Sequence, residues 1–151
     1  ENNFNFSFSG LKTAVRREIE KTANEDYIYG STHNKLSEQD KCDIAASFQK
    51  TIVDILKDRI KNVIFFLESQ NIKLNKLIFA GGVSANQYIK NNMVDFCSEY
   101  DYSIITPPLR LCTDNGAMIA WAGLEKFRSK AYKDNKILTI KSRWELNEIF
   151  E

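Results

Sequence analysis

Phenylalanine alternates with asparagine and serine over residues 4–9, which puts three rings on one face of a strand and small polar groups on the other. Gly10 ends that pattern. Leu11, Ala14, Val15 and Ile19 recur at helical spacing and predict a helix over 11–21, followed by a loop or short excursion over 22–36, rich in Asn, Ser, Thr and Tyr. Ser37-Glu38-Gln39-Asp40 offers a capping-box-like start to the longest helix. Its stripe of Ile44, Ala45, Phe48, Ile52, Ile55, Leu56, Ile60, Val63 and Leu67 runs to about Ser69, with one bend or break expected. A buried strand is predicted over 74–80. A helix over 84–99 follows, with Ser84 and Gln87 at capping-box spacing, and then a strand over 102–106 stopped by Pro107-Pro108. Thr113 is the expected cap of a last helix to about Lys130, and a tail with Ile137-Leu138-Thr139-Ile140 and Arg143-Trp144 closes the chain. This order of elements predicts an α/β layer structure in which helices cover a sheet.

Composition narrows the picture only a little. At 151 residues and 43% hydrophobic content the chain is of single-domain size, residues 1–151, and can bury a core. The 21 basic and 20 acidic residues nearly cancel, so net charge implies no general attraction to nucleic acid or membrane. No apolar run has the roughly 20 residues a spanning helix needs. The start Glu1-Asn2-Asn3 lacks a signal-peptide pattern, so a cytoplasmic protein is expected, cut from or belonging to a longer chain. Cys42, Cys97 and Cys112 show no C-x-x-C pattern and are expected to be reduced thiols.

The candidate chemistry concentrates at two places. Leu77-Ile78-Phe79-Ala80-Gly81-Gly82-Val83-Ser84-Ala85-Asn86 reads as a strand passing through two glycines into a capped helix, where backbone N–H groups meet a ligand above the strand end. It is neither a Walker P-loop nor G-x-G-x-x-G. A tight turn that needs small residues for packing is the competing reading, and Asn86, placed in the first helical turn, either faces a ligand or is an ordinary cap. Asp114, after the expected cap Thr113, sits where the helix dipole favours an acid, while Gly116, Ala117, Ala120 and Gly123 keep one side of that helix small. One carboxylate cannot hold a metal alone. The sole histidine, His33, is expected at the surface, and Cys112 is expected to be a buried structural thiol. The basic residues between Lys126 and Arg143 fit a solvated helix end better than a nucleic-acid groove.

Five segments together carry a resemblance that covers the chain from end to end. They are Phe6-Ser7-Phe8-Ser9-Gly10-Leu11-Lys12-Thr13-Ala14-Val15, Asp43-Ile44-Ala45-Ala46-Ser47-Phe48-Gln49, Gly81-Gly82-Val83-Ser84-Ala85-Asn86, Cys112-Thr113-Asp114-Asn115-Gly116-Ala117-Met118-Ile119-Ala120, and Arg143-Trp144. In this order the chain resembles the C-terminal half of the bacterial tRNA N6-adenosine threonylcarbamoyltransferases, the TsaD family, formerly called glycoproteases. The resemblance implies the second lobe of an actin/hexokinase/Hsp70-like (ASKHA, ribonuclease H-like) fold, a mixed sheet flanked by helices. It also implies transfer of the threonylcarbamoyl group of threonylcarbamoyl-AMP to N6 of the adenosine beside the anticodon. Gly81, Gly82 and Asn86 would contact the adenylate, and Asp114 would be a ligand to a divalent iron or zinc ion. Implied partners are tRNA, TsaB-like and TsaE-like proteins, and an N-terminal lobe bearing a His-x-x-x-His pair that this chain does not contain. A metalloprotease, a non-catalytic scaffold lobe and a small-molecule kinase are the alternatives.

Overall fold

The computed structural model of the chain describes residues 4–23 and 36–130. The expected surface position of His33, the tail motifs, and the basic positions from Lys133 to Arg143 lie outside these residues. Chain contacts divide the molecule into two compact units, Glu1–Asp114 and Asn115–Glu151.

In the first unit, α1 spans Leu11–Ala23 and α2 spans Glu38–Ser69. β1 (Lys76–Ile78) and β2 (Ser103–Ile105) flank α3 (Gln87–Ser98), and short 3₁₀ turns occupy Gly82–Ala85 and Leu109–Leu111. The expected capping box of α2 is present: Asp40 N donates to Ser37 Oγ at 3.1 Å and Ser37 N donates to the Asp40 carboxylate at 3.0 Å. The 32 residues form one helix, without the expected break, about 48 Å long at a rise of about 1.5 Å per residue. Left-handed Asn71 (φ 56°) ends it, with Asn71 N donating to Glu68 O and Ile72 N to Leu67 O, a Schellman arrangement in which Asn tolerates the positive φ. Asp101 (φ 60°) turns the chain out of α3 in the same way, with Tyr102 N donating to Cys97 O.

β1 and β2 pair in parallel with Leu77 opposite Ile104. Phe79 N to Ile105 O and Ser103 N to Asn75 O continue the ladder slightly beyond the strands. Among the described residues the sheet is a parallel pair rather than the expected mixed sheet, and residues 4–8 are not in a strand. Their alternation still shows, in that the Phe6 and Phe8 rings stack with centroids 6.2 Å apart, yet among the described residues no ladder partner stands beside them. Side-chain periodicity assigns a face; backbone pairing is what makes a strand.

The core lies between α2, α3 and one face of the sheet. Val53, Leu56, Ile89, Met93, Phe96 and Cys97 are buried, with Leu77, Phe79 and Ile104 packed partly against them. The α2 stripe is only half used for this. Val53 and Ile64, which the predicted stripe omitted, are buried, whereas Phe48 is exposed and lines an apolar cavity of about 510 Å³ with Phe6, Phe8 and Val83. Nor is β1 a buried strand, since Ile78 on its other face is 72% exposed.

In the second unit, α4 spans Gly116–Arg128 and is capped by Asn115, whose Oδ1 accepts from Met118 N at 3.0 Å. The expected cap, Thr113, lies two residues too early. A Cβ at Gly116 or Gly123 would meet nothing within 4 Å.

Candidate functional site

The carboxyl end of β1 opens into the glycine turn. Gly81 adopts φ +91°, a conformation that L side chains rarely take, so this position needs glycine for its backbone alone. Gly82 is different. It lies outside that region, and a Cβ there would meet nothing within 4 Å, so neither strain nor crowding demands a glycine. The packing explanation for the pair therefore fails at Gly82, and what its missing side chain preserves is open space over the main chain. The 3₁₀ turn starts here, with Ser84 N donating to Gly81 O and Asn86 N to Val83 O. The N–H groups of Gly82 and Val83 precede the first bonded position of the turn and have no acceptor within it.

Ser84, expected as a helix cap, does something else. It is buried, and its Oγ donates to Gly81 O at 2.7 Å and lies 3.3 Å from Cys112 Sγ. Cys112 is itself buried and directed at the Pro107 and Pro108 carbonyls, 3.7 and 3.6 Å away. This contact ties the loop after β2 to the glycine turn. Asp114, two residues on, has its Cα within about 7.6 Å of that of Cys112 by chain length alone.

Asn86 is the N-cap of α3 and not a residue of its first turn. Its Oδ1 accepts from Ile89 N at 3.2 Å, and its Nδ2 donates to Gln49 Oε1 on α2 at 2.8 Å. One hydrogen on Nδ2 and one lone pair on Oδ1 remain for a ligand. The sequence gives a cue for the cap, because Asn caps as well as Ser. For Gln49, 37 positions away, no local pattern signals the pairing.

Asp114 is exposed and stands just before the Asn115 cap, outside the first turn of α4, which contains no acid. It stands one residue outside the cap, still beside the positive end of the helix dipole. Whether a metal fits was tested on the donor set: among the described residues no group of three or more His, Cys, Asp or Glu side chains could hold one. Cys112 is engaged elsewhere. Among the described residues Asp114 would thus be one ligand without the two or more further protein ligands that a bound metal needs.

Against this geometry the comparisons with known proteins decide the family. The sequence model of TsaD, described as tRNA N6-adenosine threonylcarbamoyltransferase, matches residues 1–121. The chain belongs to the TsaD family. It is 40% identical over 142 residues to the tRNA N6-adenosine threonylcarbamoyltransferase of Wolbachia sp. subsp. Brugia malayi (strain TRS), covering 94% of this chain and 38% of that protein. The protein of the same name from Ehrlichia canis (strain Jake) is 44% identical over 144 residues, covering 95% and 38%. The chain thus spans about 38% of the length of the TsaD relatives it matches. The matched region contains the glycine turn, Asn86, Asp114 and the start of α4, and it ends before the basic end of that helix, where Arg128 pairs with Glu125 at 3.2 Å. Among the described residues no helix is long and apolar enough to cross a membrane.

Proposed function

We propose that this chain forms one wall of an adenylate pocket in a tRNA N6-adenosine threonylcarbamoyltransferase, as the second lobe of an ASKHA-type fold. The observation that carries the reading is Gly82: a glycine that the fold does not need, at the carboxyl end of a parallel strand, in a turn where two N–H groups have no acceptor within the turn itself. Such a surface suits a phosphate or ribose resting on the backbone. In the reaction, the N6 amine of the tRNA adenosine attacks the carbamoyl carbon of threonylcarbamoyl-AMP, the bond from that carbon to the phosphate oxygen breaks, and AMP leaves. This chain's part is to hold the adenylate: the turn N–H groups donate to its oxygens, and Asn86 offers its remaining donor and acceptor. Asp114 would supply one carboxylate to an iron or zinc ion whose other ligands would come from the N-terminal lobe, and TsaB-like and TsaE-like proteins are the expected assembly partners in the cytoplasm.

Substituting Gly82→Ala separates fold from function. Stability should stay level or rise by about 0.4–1 kcal/mol, because the position is unstrained and the unfolded chain loses freedom. Binding of AMP, followed by NMR titration at millimolar concentration, should be lost. Unchanged AMP binding in Gly82→Ala would sink the reading. A scaffold lobe without ligand is the second reading, favoured by the solitary Asp114, and it requires that the wild-type chain show no AMP-dependent shifts at the turn. Among the described residues no donor set supports a protease reading.

A further inference from the structure

We infer that Gln49 is a positioning residue for Asn86, an inference that rests on the adenylate-wall reading and deepens it. A terminal amide can rotate by half a turn and exchange its donor and acceptor ends, which would invert what it offers to a ligand. Asn86 is held against that exchange by Ile89 N, a backbone donor that meets Oδ1 at 3.2 Å, and Gln49 Oε1, accepting from Nδ2 at 2.8 Å, then holds the amide of that orientation in place. The cap bond alone fixes only the oxygen and leaves the amide a single anchor on its own helix. The Gln49 bond is partly buried, and it anchors the amide to the long helix that carries Val53 and Leu56 in the core. Gln49 itself faces no ligand; it acts by leaving Asn86 with one outward N–H and one outward lone pair in fixed places. The same bond joins α2 to the end of the glycine turn, so the spacing between Asn86 and Gly82 is set by the core and not by the turn alone.

The test is a double-mutant cycle on the full chain, with AMP as the probe in the NMR titration. Gln49→Met keeps the shape but removes the acceptor, and Asn86→Ser keeps a cap oxygen but cannot reach Gln49. Gln49→Met should weaken AMP binding about five- to tenfold in the native background and cause no further loss beside Asn86→Ser. Equal losses in both backgrounds would mark a merely structural role, and no loss in the native background would overturn the inference outright. The Asn86 side-chain amide gives an independent readout. The Nδ2 hydrogen bonded to Gln49 should exchange with water at least about tenfold faster in Gln49→Met, in line with one lost hydrogen bond. Should the wild-type chain fail to bind AMP, the adenylate reading falls, and the amide exchange alone decides for or against the positioning role.

Discussion

Cys97 shows how burial at a single residue reaches the stability of the whole chain. Its side chain is fully buried among Val53, Met93 and Phe96, and burial pushes the thiol above its ordinary value of 9.0. As pH rises past that value the unfolded chain releases this proton while the folded chain keeps it, so the unfolded state binds fewer protons and stability falls. Denaturant unfolding from pH 8 to 10.5 should therefore show a decline above about pH 9 that Cys97→Ala flattens, by at most about 1.4 kcal/mol per pH unit. An identical pH slope in the two proteins would refute the assignment. At this scale the sequence exposed much but not everything. Cys112 is buried as expected, and Gly81 and Gly82 stand at a strand end. The cap moved from Ser84 to Asn86 because Ser84 found a better bond inside, to Gly81 O, than at the helix start. A choice between two competent caps depends on tertiary partners, and those are not written locally.

At the level of elements, periodicity located the four α-helices of the described residues, and it did so best where a stripe and a cap agreed. α2 is the clearest example, since Ser37 and Asp40 complete both bonds of the capping box. Ser37→Ala should lower global stability by about 1 kcal/mol, measured by urea unfolding, because it removes the cap of the helix that carries much of the core. A larger effect on α1 than on α2 amides in hydrogen exchange would contradict that origin. The strands were located but overestimated in length, since each has only three residues. Residues 4–8 carry a strand's alternation without a strand's bonds. Pattern reports which side of a segment wants to be dry, and pairing depends on whether a second backbone arrives.

For the whole molecule, the α/β class was legible from the order of its elements, while the division at Asp114 into two units was not. The candidate site was legible in part: Gly81, Gly82 and Asn86 share one turn, and the Ser84–Cys112 contact brings the loop that carries Asp114 towards it. Among the described residues no group of three or more His, Cys, Asp or Glu side chains could hold a metal beside Asp114. Accordingly, titration of the purified chain with Zn²⁺ or Fe²⁺ in a calorimeter should give no tight one-to-one binding, and a stoichiometric ion retained through dialysis against a weak chelator would show that Asp114 has partners after all.

The parallel pair also governs how the chain behaves in a tube. Ile78 and Ile105 leave one side of β1 and β2 uncovered, and each strand has an open edge among the described residues. With a net charge of +1 and an isoelectric point near 7.9, little electrostatic repulsion keeps two such surfaces apart at neutral pH. Colloidal stability, rather than folding free energy, is then the quantity that limits concentration, and it is lowest close to the pH at which the protein would ordinarily be handled.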